Sequence, residues 1–248
     1  FKGGVTMLIQ ANDMHYTALN GAVRGSADSE IEIFGCTGQR YIGAGLSGKQ
    51  IAVHGTPGNA LGAYLAGGEI TVYGNVQEAT GDTMNGGTIT VHGSAGDATG
   101  YAMRGGKIFI EGDAGYRCGI HMKAFREHSP AIVIGGRAGS FLGEYQAGGN
   151  IVVLGNGAQP VVGNFCGTGM HGGQILLRCD EVPPLPAQVK AERVHGPCDE
   201  ESAELIREWC RKFGRDEREY MNAVYYRLTP NTENPYRRSP STDFSMRN

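Results

Sequence analysis

The sequence has no long apolar run, no excess of charge of one sign and no closely paired cysteines. Its longest apolar stretches are only a few residues, too short for a helix that crosses a bilayer. Lys and Arg total 22 against 25 Asp and Glu, with the two signs interspersed, so neither nucleic acid nor an anionic membrane is indicated as a partner. The six cysteines, Cys36, Cys118, Cys166, Cys179, Cys198 and Cys210, contain no C-x-x-C pair, which removes the zinc-ribbon and iron–sulfur spacings. No charged-then-apolar leader opens the sequence as it stands, from Phe1, so the thiols are expected to be buried and reduced in a cytoplasmic protein. There is no G-x-S-x-G elbow, no Ser/His/Asp constellation, and no cysteine at position 1 to serve as a glutaminase nucleophile.

What is abundant is glycine. The chain has 41, far above the usual share of about 7%, and without the three-residue period of collagen. They follow short Ile-x-Val segments: Ile51-Ala52-Val53, Ile70-Thr71-Val72, Ile89-Thr90-Val91, Ile108-Phe109-Ile110, Ile132-Val133-Ile134 and Ile151-Val152-Val153, with Ile31-Glu32-Ile33 before and Ile175-Leu176-Leu177 after. Four steps, Ile51 to Ile70, to Ile89, to Ile108, and Ile132 to Ile151, are 19 residues, whereas Ile108 to Ile132 and Ile151 to Ile175 are 24. The longer steps each carry a five-residue insertion.

Period-two Ile-x-Val puts both branched side chains on one face, and the glycines supply sharp turns. A unit this short buries its face only by stacking on copies of itself. The expected fold is therefore all-β: a right-handed, single-stranded parallel β-helix, a solenoid of about eight coils and roughly 35–40 Å of stack. Residues 1–30 are expected as an N-terminal cap, 31–180 as the repeat domain, and 181–248 as a linker, a C-terminal cap helix and an extended tail. Two columns should fill the core: the isoleucines, and Leu46, Leu65, Met84, Met103, Met122, Gln146 and Met170, the methionines being flexible filler at a corner.

The cap helix should run from Asp199 to Phe213, with acids in its first turn, Arg211 and Lys212 in its last, and Gly214 beyond. Leu205, Ile206, Trp209, Cys210 and Phe213 form its apolar stripe. A second helix is expected at about Arg215 to Arg227. The tail from Thr229, with Pro230, Pro235 and Pro240, should be an extended arm.

Three motifs that suggest chemistry read otherwise in context. Gly43-Ala44-Gly45-Leu46-Ser47-Gly48 matches G-x-G-x-x-G, but a strand follows it where a dinucleotide site needs a helix. Gly43 to Lys49 nearly matches a phosphate loop, yet Gln50 stands where Ser or Thr must hold Mg²⁺. His54, Tyr73, His92 and Glu111 share an outward column, in which the histidines are two rungs apart, about 9–10 Å, too far for one zinc. They read as a surface ladder. The outward columns show no carboxylate pair of the kind a glycosidase needs, which disfavours a carbohydrate-acting β-helix.

Asn85, Arg104, Lys123 and His171 follow the methionine column and face outward, either as a solvated strip or as a docking strip. The insertion from Lys123 to Pro130 gives a repetitive rod a unique address. It carries Lys123, Arg126, Glu127 and His128 around Phe125. The expected partner-binding residues are Arg104, Lys123, Phe125, Arg126, His128, His171, Pro235 and Tyr236. No catalytic, cofactor-binding or metal-binding residue is assigned.

The segments Thr83-Met84-Asn85-Gly86-Gly87, Gly100-Tyr101-Ala102-Met103-Arg104-Gly105-Gly106, Gly119-Ile120-His121-Met122-Lys123, Leu142-Gly143-Glu144-Tyr145 with Gly148-Gly149, and Gly167-Thr168-Gly169-Met170-His171-Gly172-Gly173 resemble the third, glycine-rich GXGXG domain of the glutamate synthase large subunit. With Phe213-Gly214-Arg215-Asp216, Leu228-Thr229-Pro230 and Asn234-Pro235-Tyr236, the resemblance is to the form made as a separate polypeptide in archaea and some bacteria. It runs from about Asn12 to Tyr236, and Gln146 departs from the methionine column.

That resemblance implies a cofactor-free β-helix subunit. Its partners would be a class-II glutaminase and an FMN and iron–sulfur synthase that converts 2-oxoglutarate to glutamate. Relatives in other amidotransferase complexes, such as N-methylglutamate synthase, and a similar subunit of formylmethanofuran dehydrogenase are the alternatives. A scaffold for an unrelated flavoenzyme also stays open.

Overall fold

A computed structural model of the chain describes residues 6–125, 127–157 and 159–231. In chain order the elements are β1 (Thr6–Gln10), α1 (Tyr16–Gly25), β2 (Glu30–Thr37), β3 (Gln50–Thr56), β4 (Ala66–Tyr73), β5 (Gly86–Val91), β6 (Lys107–Ile110), β7 (Ala131–Ile134), β8 (Ala147–Val153) and β9 (Gly172–Leu177). There follow β10 (Val189–His195), α2 (Glu200–Phe213), α3 (Glu217–Met221) and β11 (Val224–Pro230). Eleven strands make one sheet in the order β1 to β9, then β11, then β10. Neighbours from β1 to β9 are parallel; β11 pairs antiparallel with both β9 and β10.

The 19- and 24-residue spacings are the register of this sheet. Ile31, Ile51, Ile70, Ile89, Ile108, Ile132, Ile151 and Ile175 are successive partners and all are buried. Ile33, Val53, Val72, Val91, Ile110, Ile134, Val153 and Leu177 form a second row on the same face. Each such side chain contributes about 1.5–3 kcal/mol on leaving water. Leu65, Met84, Met103, Met122 and Met170 are buried in the same cluster. Gln146 is fully buried in their column: its amide nitrogen donates to Gly149 O at 2.9 Å, and its carbonyl oxygen has no partner.

A second parallel ladder joins Val76, Ala95, Ala114, Ala138 and Val162. The first insertion, between the Met122 and Ile132 positions, closes on itself, with Phe125 and His128 exchanging backbone hydrogen bonds of 3.0 Å.

The helix expected from Asp199 to Phe213 is α2, with Asp199 as N-cap and Gly214 left-handed at φ 63°. It does not cap the end of the stack. It lies on the face of the sheet opposite the isoleucines, where Phe109, Val133, Val152 and Leu176 meet Leu205, Ile206, Trp209 and Cys210. Indole Nε1 of Trp209 donates to Ile110 O at 2.9 Å. Gly135 makes room for the ring, since a Cβ there would stand 2.5 Å from Trp209 Cζ2. Lys107–Glu208 at 2.6 Å and Lys212–Glu69 at 3.1 Å flank the helix.

The helix expected at 215–227 is also corrected. Only Glu217–Met221 is helical, and Val224–Pro230 is β11, so the segment from Thr229 begins within a strand. Val-Tyr-Tyr-Arg-Leu-Thr is strand-favouring, and Tyr225 and Leu228 are buried. The segment expected as an N-terminal cap likewise holds a strand, β1, paired to β2, and the helix α1.

Asp199 ties α2 to the sheet. Burial pushes its carboxyl up, but hydrogen bonds from Gln174 at 2.7 Å, the Ser202 N–H at 2.8 Å, the Ser202 hydroxyl and the Cys198 thiol outweigh this and hold it at about 2. A carboxyl depressed on folding stabilises the fold above its ordinary pKa of about 3.9 and loses that contribution as pH falls toward its folded value. Asp199→Ala is therefore expected to cost about 1 kcal/mol at neutral pH. Thermal melts of the variant should also show a weaker pH dependence between about pH 4 and pH 2 than the parent chain.

Candidate interaction surface

Each repeat turns through alternate left-handed residues. One such column is Tyr41, Ala60, Ala79, Ala98, Arg117, Phe141 and Phe165, with φ between 54° and 62°. Four residues on, Tyr64, Thr83, Ala102, His121 and Tyr145 form another, with φ between 49° and 57°, ended by Gly45 and Gly169. Between them runs a glycine column; at Gly100 a Cβ would meet Ile132 Cδ1 at 2.5 Å, so the turn sits directly on the core. Backbone bonds lock one repeat to the next: Ala98 N donates to Tyr116 O at 2.7 Å, Arg117 N to Ser140 O at 2.9 Å and Phe141 N to Asn164 O at 2.8 Å.

Left-handed backbone is unfavourable for any residue with a Cβ, by about 1–3 kcal/mol, and most of all for bulky ones. Alanine fills many of these positions in the early repeats. The later repeats place Arg117, His121, Phe141, Tyr145 and Phe165 there, and Tyr101 and Tyr116 beside them. Their rings form two runs. Tyr116, Phe141 and Phe165 follow one another at centroid distances of 5.2 and 4.9 Å. Tyr101, His121 and Tyr145 do so at 6.0 and 5.1 Å. The Arg117 guanidinium lies 5.0 Å from the Tyr116 centroid and 5.5 Å from that of Phe141, and its Nε is 3.0 Å from Glu144. Phe165 is 55% exposed and Tyr145 46%, with Tyr101 and Tyr116 close behind. Aromatic rings around an arginine are the composition of protein-interface anchors.

The residues expected to bind partners lie in part along this surface. Arg104 and Lys123 are exposed and sit in adjacent rows, Lys123 N donating to Met103 O at 2.9 Å, each two residues after a left-handed position. His171 lies further along the same column, its Nδ1 3.2 Å from Gly169 O. Phe125, 52% exposed, and His128 form the neck of the first insertion. Arg126, Pro235 and Tyr236 lie outside the described residues. The two aromatic runs went unread in the sequence. Part of their signal was present: His121, Phe141, Tyr145 and Phe165 stand at repeat positions where Ala60, Ala79, Ala98 and Ala102 stand in earlier repeats.

Other candidates for chemistry stay structural. Phe34, His54, Tyr73 and His92 are a stacked ladder with centroids 4.5, 4.8 and 5.0 Å apart, closed edge-on by Phe213. His54 is 2.8 Å from Glu32 and His92 3.7 Å from Glu111. Among the described residues, no group of three or more His, Cys, Asp or Glu could hold a metal ion. The glycines from Gly43 to Gly48 form a turn that leads into β3. All six cysteines are free, and burial pushes the Cys118 and Cys166 thiols up to about 12 and those of Cys179 and Cys210 to about 11, far from the thiolate of a reactive cysteine. Among the described residues no helix is long and apolar enough to cross a membrane.

A family model described as the GXGXG motif matches residues 29–229. A curated protein of Methanocaldococcus jannaschii, "Uncharacterized protein MJ1350", is 39% identical over 251 residues, covering 95% of this chain and 96% of that protein. Among solved structures, a chain of the formyltransferase/hydrolase complex of Methylorubrum extorquens, determined with methylofuran, is similar in fold. The TM-score is 0.55 at 22% identity, over 91% of this chain and 92% of that one.

Proposed function

The chain belongs to the GXGXG motif family, and from that premise we propose that it is the non-catalytic assembly subunit of a glutamate synthase-type complex. In this reading the repeats coil as a right-handed parallel β-helix. The sequential parallel order of β1 to β9 and the repeat-to-repeat turn bonds support it, and the hand is the usual one for parallel connections. The rod holds a class-II glutaminase subunit and an FMN and iron–sulfur synthase subunit in register. The flavin and cluster belong to those partners, and the product is glutamate from glutamine and 2-oxoglutarate. Arg104, Lys123, Phe125, Arg126, His128 and His171 dock partners together with the aromatic runs, as do Pro235 and Tyr236.

The observation that carries the docking role is the placement of large, exposed aromatic side chains on left-handed backbone. Folding alone would be served better there by glycine or alanine. Tyr145→Gly and Phe165→Gly should thus leave stability within about 1 kcal/mol of the parent, relief of left-handed strain offsetting glycine's added unfolded-state freedom. Each should weaken partner binding at least about tenfold, as interface anchors do. Calorimetric melts and titration with the purified partners measure the two effects. Unchanged affinity in both variants rejects the surface as the docking site. Chain purified alone should release no ammonia from glutamine and carry no flavin absorbance; either signal in stoichiometric amount rejects the assignment.

A second reading is favoured by the Methylorubrum fold likeness: a subunit of a formylmethanofuran-type complex. Purification with molybdenum- or tungsten-containing or formyltransferase/hydrolase subunits, and no glutaminase, would decide for it.

A further inference from the structure

We propose that two copies of the chain join end to end through strand β1 and helix α1, pairing β1 of each antiparallel about a two-fold axis near Leu8. Among the described residues the sheet has two edges, β1 and β10, and they differ in kind. The edge strand β10 carries Lys190, Glu192 and Arg193, all exposed, the charged pattern that keeps an edge from pairing. Strand β1, Thr-Met-Leu-Ile-Gln, has no charge, and among the described residues only β2 pairs with it. Its central Leu8 is 64% exposed, the most of any large apolar side chain among the described residues. Met7 and Met14 are only partly buried, so the apolar interior is incompletely covered at this end.

The occupant is inferred from self-complementarity. An antiparallel copy sets Leu8 against Leu8 and Thr6 against Gln10, so no charges face each other across the new pair. The acids on the neighbouring strand β2 are already engaged: Glu32 turns to His54 at 2.8 Å, and Glu30 accepts from Thr6 at 3.1 Å. Across the dyad the two Glu32 side chains would stand three strand spacings apart, about 14 Å, beyond a Debye length.

Helix α1 fits the same axis. Asn20 donates to Arg40 O at 2.8 Å and Arg24 to Ala44 O at 3.1 Å, which marks the side turned to the next repeat. At 100° per residue the opposite side carries the exposed Ala18 and Gly25, with Ala22 between that side and the core against which it packs. A Cβ built on Gly25 or on the neighbouring Gly21 would meet nothing within 4 Å. Two helix glycines that fill no space within the fold weaken α1 by roughly 1 kcal/mol each, and they permit a second helix to approach closely. The charged edge β10 cannot repeat the contact, so assembly stops at two copies.

Sedimentation of the full chain at about 50 µM, well above a micromolar dissociation constant, should give twice the mass of the 26.3 kDa chain. Leu8→Lys and, separately, Ala18→Lys should raise the dissociation constant at least tenfold with unchanged circular dichroism, while Leu8→Thr, neutral and strand-favouring, should stay dimeric. A monomeric parent chain, as expected if another segment occupies the edge, overturns the proposal. So does a dimer that both lysine variants leave intact. Partner docking through the turn surface is a separate question, so either result leaves that reading where it stands.

Discussion

Replacing Ile89 by Asp should unfold the chain or bring it to the brink. Ile89 is fully buried in the middle of the isoleucine register, with Ile70 and Ile108 as its strand neighbours. The change forfeits about 1.5–3 kcal/mol of burial. It also leaves a carboxyl that must either stay charged in an apolar interior or take up a proton and remain without a partner, for a further 1–3 kcal/mol or so. The sum, on the order of 5 kcal/mol, compares with a total stability of about 5–15 kcal/mol for a typical domain.

The adjacent residue sets the contrast. Thr90 points to the other face of the sheet, yet it is not solvated: it is 3% exposed, in the row between Thr71 and Phe109, and its hydroxyl has no hydrogen-bond partner. Thr90→Val keeps the shape and removes the orphaned hydroxyl, so it should be neutral or stabilising by up to about 1 kcal/mol. Urea titrations followed by circular dichroism compare the two. Equal losses would mean that the facing of β5 is wrong.

Truncating Trp209 to Ala should cost about 3–5 kcal/mol, the usual loss for a large buried aromatic. The ring is fully buried, packs on Phe213 at 5.1 Å and on Tyr220 at 5.5 Å, and covers Gly135. Its hydrogen bond is the smaller part, because Ile110 O also accepts from Gly135 N at 2.8 Å and is not orphaned when the indole goes. Trp209→Phe should therefore cost distinctly less than Trp209→Ala. The apolar cluster under α2 is separate from the one that holds the isoleucines. Trp209→Ala should accordingly release α2 first, with Phe109, Val133, Val152 and Leu176 exposed and a hydrophobic dye bound, while the far-ultraviolet strand signal persists. Simultaneous loss of both signals would show that the helix and the sheet fold as one unit.

The register of the sheet was legible because every strand from β2 to β9 begins its buried pair at a residue spaced 19 to 24 from the last, and stacking requires that regularity. Helix α2 was legible within a residue from Asp199, its acidic first turn and Gly214. Its seat was not read, though the sign was there. Early repeats alternate as Ile-Ala-Val and Ile-Thr-Val, whereas later ones read Ile-Phe-Ile, Ile-Val-Ile and Ile-Val-Val-Leu, apolar on both faces, which calls for a cover on the second face. The helix expected at about Arg215 to Arg227 overlaps only the first residues of β11, and the strand-favouring run from Val224 decides against helix there. The aromatic surface escaped because it depends on left-handed backbone at residues other than glycine, which composition does not signal. Only after the 24-residue steps are aligned do Arg117, Phe141 and Phe165 fall into a single column.

Native mass spectrometry of the complex isolated with this chain tests the assembly role most directly. The account predicts one stoichiometric particle containing the chain, a glutamine-hydrolysing subunit and an FMN and iron–sulfur subunit, from which the Tyr145→Gly, Phe165→Gly double variant is absent although folded. A particle built from formyltransferase and hydrolase subunits, or a chain isolated without any partner, would contradict it.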